Sequence, residues 1–358
     1  MKFSIGFNML IFLFIINTLI MNINHSMKST KLNDILNKRM IPEFDFRKYL
    51  TEKPKNENKK INACIMTFID SEKTDEWLKT MIELEDKFNK RFNYSYLIFT
   101  QVDLPLQKKT TISILTEGNV EYAVIPDEFW RFPKHIDVKK VKKIFKNMIT
   151  KSKLDSMYKS RYFSGYFFRH ELALKYDYYW FIEPNSNLPC NINADPFKKL
   201  VYRNKLISFF VLNTESFKGK NSLLSKTLRK WSSIVKKSVP KLDLTCSLSS
   251  HISIGSFNIF RDSKYLEYFE LIDKSGGFFY ETWKDWTIKK MYIDMTINPQ
   301  SIAIFDYFPM VTDNPNRFGF YCPKNIHQDC MNSIRDFCTK ASLNKNLVDC
   351  NSKIDKIF

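Results

Sequence analysis

With 358 residues, 44% hydrophobic and 15% aromatic, the chain has the composition of an aromatic-rich globule with one sizeable core, which excludes a disordered protein. A formal net charge of +18 fits acidic partners such as nucleotide diphosphates, membrane surfaces or nucleic acid, but no single basic patch dominates, which favours a general drift toward Lys, Asn and Ile. None of the seven cysteines has zinc-site spacing, and four lie from Cys322 onward, a pattern that suits disulfides in a secretory lumen.

Met1-Lys2 precedes a mostly apolar run from Phe3 to Met21, which as a helix spans roughly 28 Å. No small-x-small cleavage site follows, so residues 1–22 read as a signal-anchor rather than a removed leader. Residues 23–60 are polar, charged and aperiodic, as in a stem that lifts a domain off a membrane. The globular part covers 61–326. Strands are expected over Ala63–Ile69, Tyr94–Thr100 and Val120–Ile125, with a helix from Thr74 to Phe88 carrying Trp77, Met81, Leu84 and Phe88 at helical spacing. This alternation suggests an α/β protein with a parallel sheet and helices packed on it. Asp137 can cap a basic helix to Met148, which reads as a solvated face and not a nucleic-acid site. A helix over Arg161–Leu174 would deliver the chain into a central strand. Beyond it the pattern gives a strand at Leu206–Leu212, helices at Leu223–Val239, Lys264–Lys274 and Asp285–Met295, and a short strand at Ser301–Phe305. Residues 327–358 form a polar, Cys-bearing tail.

The most informative stretch is Tyr176-Asp177-Tyr178-Tyr179-Trp180-Phe181-Ile182-Glu183-Pro184-Asn185. Its aromatic first half has strand composition, and Pro184 ends the strand. Glu183 therefore sits at a strand's carboxyl end, where open α/β sheets place ligands. A carboxylate followed two residues later by another oxygen-bearing side chain suits a divalent metal beside a diphosphate, and it equally suits an ordinary strand end.

Several strings in the globular part resemble one family. They include Asn62-Ala63-Cys64-Ile65, Leu84-Glu85-Asp86-Lys87-Phe88-Asn89, and Ser164-Gly165-Tyr166-Phe167-Phe168-Arg169-His170. Others are Tyr176 to Trp180 leading to Glu183-Pro184, Asp195-Pro196-Phe197, Gly276-Gly277-Phe278-Phe279-Tyr280-Glu281 and Tyr321-Cys322-Pro323. Their order and spacing resemble the fungal Golgi α-1,2-mannosyltransferases of the Kre/Ktr type over about residues 61 to 324. The resemblance implies a nucleotide-sugar transferase (GT-A type) fold, with one mixed sheet flanked by helices, behind an N-terminal anchor, as a single-pass type II Golgi membrane protein with its catalytic domain in the lumen. It also implies retaining transfer of mannose from GDP-mannose to a mannoside on a glycoprotein or glycolipid, with Mn²⁺ at the diphosphate.

Carried over by position, the resemblance makes Glu183 a metal ligand, Arg161, Trp180 and Asn185 donor-binding residues, and Asp285 a residue near the substrates. The chain also departs from the pattern. Asn185 stands where the family has Asp, Ser156 where it has Tyr, and Ser253 where it has a Glu near the anomeric carbon. Tyr158 could replace the missing Tyr only through a two-residue slip. A family His near the metal has no counterpart; Thr312 is nearest, with Asp313 as a replacement ligand. These changes imply that Mn²⁺ binding is weakened or lost, with Lys289 as a candidate cation in its place. Losing a carboxylate that faces a cationic transition state costs about two to three orders of magnitude in rate. A pseudo-transferase that serves as a binding or scaffold subunit is therefore the alternative. Trp130 and Phe132 could stack on guanine or sugar, or serve as core anchors.

Overall fold

The computed structural model describes residues 60–188, 191–213, 222–237, 247–304, 311–312 and 318–320. The expected anchor, the stem up to residue 59, the tail and Asp313 lie outside the described residues. Among the described residues no helix is long and apolar enough to cross a membrane.

The chain opens with strand β1 (Ala63–Phe68), whose six residues are all buried, as expected for a strand covered on both faces. Helix α1 (Thr74–Leu84) follows and buries Trp77, Met81 and Leu84. It runs on through a π-helical stretch, Glu85–Asn89, and a last turn at Lys90–Phe92. The irregular stretch aligns a fastener. The Asn89 side chain accepts from Tyr94 N at 2.7 Å and donates to Tyr94 O and Glu85 Oε1, while Tyr96 Oη donates to Glu85 Oε1 at 2.6 Å. These bonds fix where strand β2 (Ser95–Thr100) begins.

Helix α2 (Leu106–Ile114), strand β3 (Val120–Val124) and helix α3 (Val138–Ile144, capped by Asp137) come next. Helix α4 spans Lys151–Gly165 with Thr150 as its cap. The helix expected over Arg161–Leu174 is thus displaced toward the N-terminus, and only 3-10 turns at Phe167–Arg169 and Ala173–Lys175 follow. The reason lies in packing. Past Gly165 the aromatic run Tyr166–Phe168 packs in turns against Phe129, Phe269, Phe257 and Phe260 instead of continuing the helix.

Strand β4 (Tyr178–Phe181) leads to the short strand β5 (Ser186–Asn187), helix α5 (Pro196–Tyr202), strand β6 (Ile207–Asn213) and helix α6 (Leu223–Val235). Strand β7 (Ser247–Ser256) was not expected from the sequence. Helices α7 (Ser263–Ser275) and α8 (Asp285–Thr296) and strands β8 (Ile302–Ile304), β9 (Val311–Thr312) and β10 (Phe318–Phe320) complete the described chain.

The main sheet runs β10-β6-β7-β4-β1-β2-β3, with β8 also paired to β6. Strands β4, β1, β2 and β3 are parallel, while β7 is antiparallel to both its neighbours, so the sheet is mixed as expected. Alternation splits the core between two faces. Cys64, Met66, Phe68, Tyr179 and Phe181 meet α4, α6, α7 and α8 on one face. Ala63, Ile65, Trp180 and Ile254 meet α1 and α5 on the other.

Candidate active site

Successive strands build outward from β1 to β2 and β3 on one side, whereas β4 lies on its other side. This topological switch point is where open α/β sheets leave a crevice at their carboxyl ends. A cleft of about 590 Å³ lies there, within the range of nucleotide-sized pockets. Its sheet side is Phe68, Ile69 and Asp70 after β1 and Gln101 and Val102 after β2. Glu72 and Lys73 lie at its edge.

The opposite wall is one face of α4. Lys151, Ser152, Asp155, Ser156 and Lys159 recur at the spacing that puts helical side chains on one side, while Met157, Tyr158 and Tyr162 are buried in the core. Trp130 closes the wall: its ring stacks on Phe68 at 5.8 Å and 20°, and its indole N–H donates to Asp155 Oδ1 at 2.9 Å. The cleft therefore offers a flat aromatic surface beside cations. Phe132 has the other expected role, packing on Tyr158 and Phe279.

Glu183 follows β4, and Ile182 N donates to Met66 O to keep that segment against β1. Lys159 Nζ lies 3.7 Å from Glu183 Oε1, with the side chains 32% and 26% exposed. The turn after Glu183 is pinned to α1. Ser186 Oγ donates to Glu183 O at 2.6 Å, and Ser186 N donates to Thr80 Oγ1 at 3.1 Å. Asn185 takes φ 63°, a left-handed conformation that Asn tolerates better than most residues. Strand β5 pairs with β9 so that Thr312 stands opposite Ser186, three residues after Glu183 in the chain.

Three other sequence candidates lie elsewhere. Arg161 is buried, and its guanidinium makes a two-pronged pair with Asp273 at 2.7 and 2.8 Å plus a bond to Tyr166 Oη, so it does not face the cleft as a donor-binding residue would. Trp180 is fully buried and packs edge-on against Phe88 in the α1 face of the core, so it too is corrected from donor contact to core anchor. Lys289 sits 2.8 Å from Asp285 Oδ2 and 5.4 Å from the Phe167 ring. It neutralises a carboxylate one helical turn away and is not among the described cations that line the cleft, which are Lys73, Lys151 and Lys159.

Asp285 opens α8, and nearby Ser253 stands opposite Phe181 in the β4–β7 register. The buried Ser253 hydroxyl hydrogen-bonds the Tyr179 phenol. Burial pushes that phenol well above its ordinary range, the Ser253 bond pulls it back, and Asp285 adds to the rise. Lys284, just before Asp285, donates to Ser156 Oγ at 2.9 Å, tying the start of α8 to the α4 wall. Ser156 also borders a smaller cavity of about 110 Å³ beneath Thr282, Trp283 and Lys284. Tyr158 does not slip into the Ser156 position: α4 is unbroken there, and the ring packs on Trp130, Phe132 and Phe279. The sequence reading missed Lys159 and Asp155; a polar stripe every four residues from Lys151 was the available signal.

Among the described residues no group of three His, Cys, Asp or Glu side chains could hold a metal ion. Glu183 already has an ammonium beside it, so the described donor set fits Mn²⁺ poorly.

The sequence profile of the family described as glycolipid 2-alpha-mannosyltransferase matches residues 17–335. Glycolipid 2-alpha-mannosyltransferase 1 of Candida albicans is 30% identical, the match covering 70% of this chain and 62% of that protein. Alpha-1,2 mannosyltransferase KTR1 of Saccharomyces cerevisiae is 29% identical over 65% of this chain and 64% of its own length. The chain thus spans less than two thirds of the length of either relative. The fold is shared with the mannosyltransferase Ktr4p from S. cerevisiae (TM-score 0.66, 20% identity, 79% of this chain and 80% of that one). It is also shared with core-mannan synthase A from Aspergillus fumigatus in its Mn/GDP form (TM-score 0.63, 22% identity, 81% and 88%). The chain belongs to the glycolipid 2-alpha-mannosyltransferase family.

Proposed function

We propose that the chain is a retaining α-1,2-mannosyltransferase that moves mannose from GDP-mannose to a mannoside acceptor on a glycoprotein or glycolipid, in the Golgi lumen behind an N-terminal membrane helix. The observation that carries this reading is the place of Glu183, at the sheet's switch point beside an aromatic and lysine-lined cleft. The family match and the mannosyltransferase names of the relatives support the choice of sugar.

In this reading Trp130 over Phe68 gives the flat surface for the guanine or the sugar, and the α4 lysines face the diphosphate. Asp285, held by Lys289, accepts a hydrogen bond from a sugar hydroxyl. Transfer with retention proceeds on one face of the sugar. The bond from the anomeric carbon to the diphosphate oxygen breaks as the bond to the acceptor oxygen forms, and the acceptor's proton passes to the departing phosphate oxygen. This route needs no protein nucleophile, which accommodates Ser253. The described residues fit a divalent ion poorly, so no step is assigned to one.

A binding subunit without turnover is the second reading, favoured by Ser253 standing buried and bonded to Tyr179 where a carboxylate was expected. Incubating the full chain with labelled GDP-mannose and methyl α-mannoside separates the two. A disaccharide with an α-1,2 bond is expected; GDP bound without any transfer would leave the second reading.

A further inference from the structure

Lys159 lines the cleft beside Glu183, and its role there rests on the transferase reading of the cleft. We propose that Lys159, anchored by Glu183, supplies the positive charge at the diphosphate, so that nucleotide binding persists without a divalent cation. Three observations carry this. The ammonium lies 3.7 Å from Glu183 Oε1, longer than a hydrogen bond, so the carboxylate holds it without consuming its donors. Its second neighbour is the Phe68 ring, with Nζ 4.9 Å from the centroid, a contact that draws a cation without using its N–H groups. The Lys159 side chain is about a third exposed and lines the cleft that α4 shares with the ends of β1 and β2, while Glu183, about a quarter exposed, stands behind it.

The charge around the cleft points the same way. Among the described residues Lys73, Lys151 and Lys159 line it together with Asp70, Glu72 and Asp155, so that lining is balanced rather than acidic. Lysines on such a wall can take a phosphate directly as point charges, without a divalent ion between. Asp155 accepts from the Trp130 indole, which leaves that carboxylate turned to the aromatic side of the cleft. Glu183 then acts as a positioning residue: it sets where Lys159 points.

The test is calorimetric titration of GDP into the full chain in detergent, in EDTA and in Mn²⁺. The expected result is binding in EDTA within about tenfold of the affinity in Mn²⁺. Lys159→Met is expected to weaken EDTA binding at least tenfold while Mn²⁺ restores part of it, because Glu183 is then relieved of its ammonium. Lys159→Arg should keep most of the EDTA binding, and equal melting temperatures for the variants would exclude misfolding. GDP binding by the wild type only in Mn²⁺, or EDTA binding unchanged in Lys159→Met, overturns the proposal and leaves the transferase reading standing. No GDP binding in either condition overturns both. Binding in EDTA with no transfer to an acceptor overturns the enzyme reading alone.

Discussion

Lys159 and Arg161 stand two residues apart on α4, and the helical turn sends them to opposite sides. Arg161 enters the core, where its side chain and that of Asp273 are 8% and 11% exposed and meet through two short bonds. Lys159 faces the cleft and reaches a partly exposed Glu183 through a long contact of 3.7 Å. Both are cation–carboxylate pairs, yet they differ in what holds them together. The first has its hydrogen-bonding groups satisfied inside the protein and ties α4 to α7. The second leaves donors available to a ligand. The Lys289–Asp285 pair lies between these extremes, short at 2.8 Å but within one helix. Geometry and exposure, more than residue type, separate fastening pairs from binding pairs.

The sharpest way to break this comparison is Arg161→Ala. It leaves Asp273 buried without its partner, so a stability loss of about 3–5 kcal/mol is expected in chemical denaturation. A loss below 1 kcal/mol would mean that water reaches Asp273 and that the pair is no fastener.

Glu183→Gln probes the other side of α4. It keeps the shape and removes the charge, so the transfer rate is expected to fall about 100- to 1000-fold while stability changes by less than about 1 kcal/mol, as for other partly exposed pairs. Comparing kcat/KM with the denaturation midpoint checks both halves. A large stability loss with little change in rate would reverse the roles assigned to the two pairs.

Much of this arrangement was legible in the sequence. The buried runs of β1 and β4 showed as apolar and aromatic strands, and Pro184 marked where β4 stops, so the position of Glu183 followed. Strand β7 was not legible, because its first half, Ser247-Leu248-Ser249-Ser250-His251, has neither apolar alternation nor β-branched residues, and Ile252 and Ile254 alone make too short a pattern before Gly255. It gains its place from pairing on both edges, with β4 and β6, which is information held by distant segments. The start of α4 was missed for a different reason: its exposed first half is polar, and the aromatic run Tyr162 to Phe168 drew the helix downstream. Lys159 fell outside the expected helix as a result, and its meeting with Glu183 depends on that displaced boundary.

Gly165 sits one turn beyond Arg161 on the same core-facing side, and it tests how tightly that side is closed. A Cβ added there would lie 2.0 Å from Cε1 of the Phe269 ring. Gly165→Ala is expected to cost about 1–3 kcal/mol through displacement of that ring, against a small gain in helix propensity. A melting temperature at or above the wild type's would show that the α4–α7 contact can open, and would weaken the picture of Arg161–Asp273 as a rigid clamp.

The smallest effect is expected from Ser253→Ala. The hydroxyl is buried and bonded to the Tyr179 phenol, which also feels Asp285 at the start of α8. Removing it deprives the phenol of one partner at a cost of about 1 kcal/mol, and transfer should stay within about threefold of wild type. Tyr179→Phe alongside Ser253→Ala removes both ends of the bond and is expected to recover part of the lost stability, since no buried polar group is then left alone. If Ser253→Ala instead lowered kcat a hundredfold with an unchanged melting temperature, the hydroxyl would have to touch the sugar. The reacting carbon would then lie nearer β7 than the cleft wall of α4, and Lys159 would be too far back to steady the leaving diphosphate.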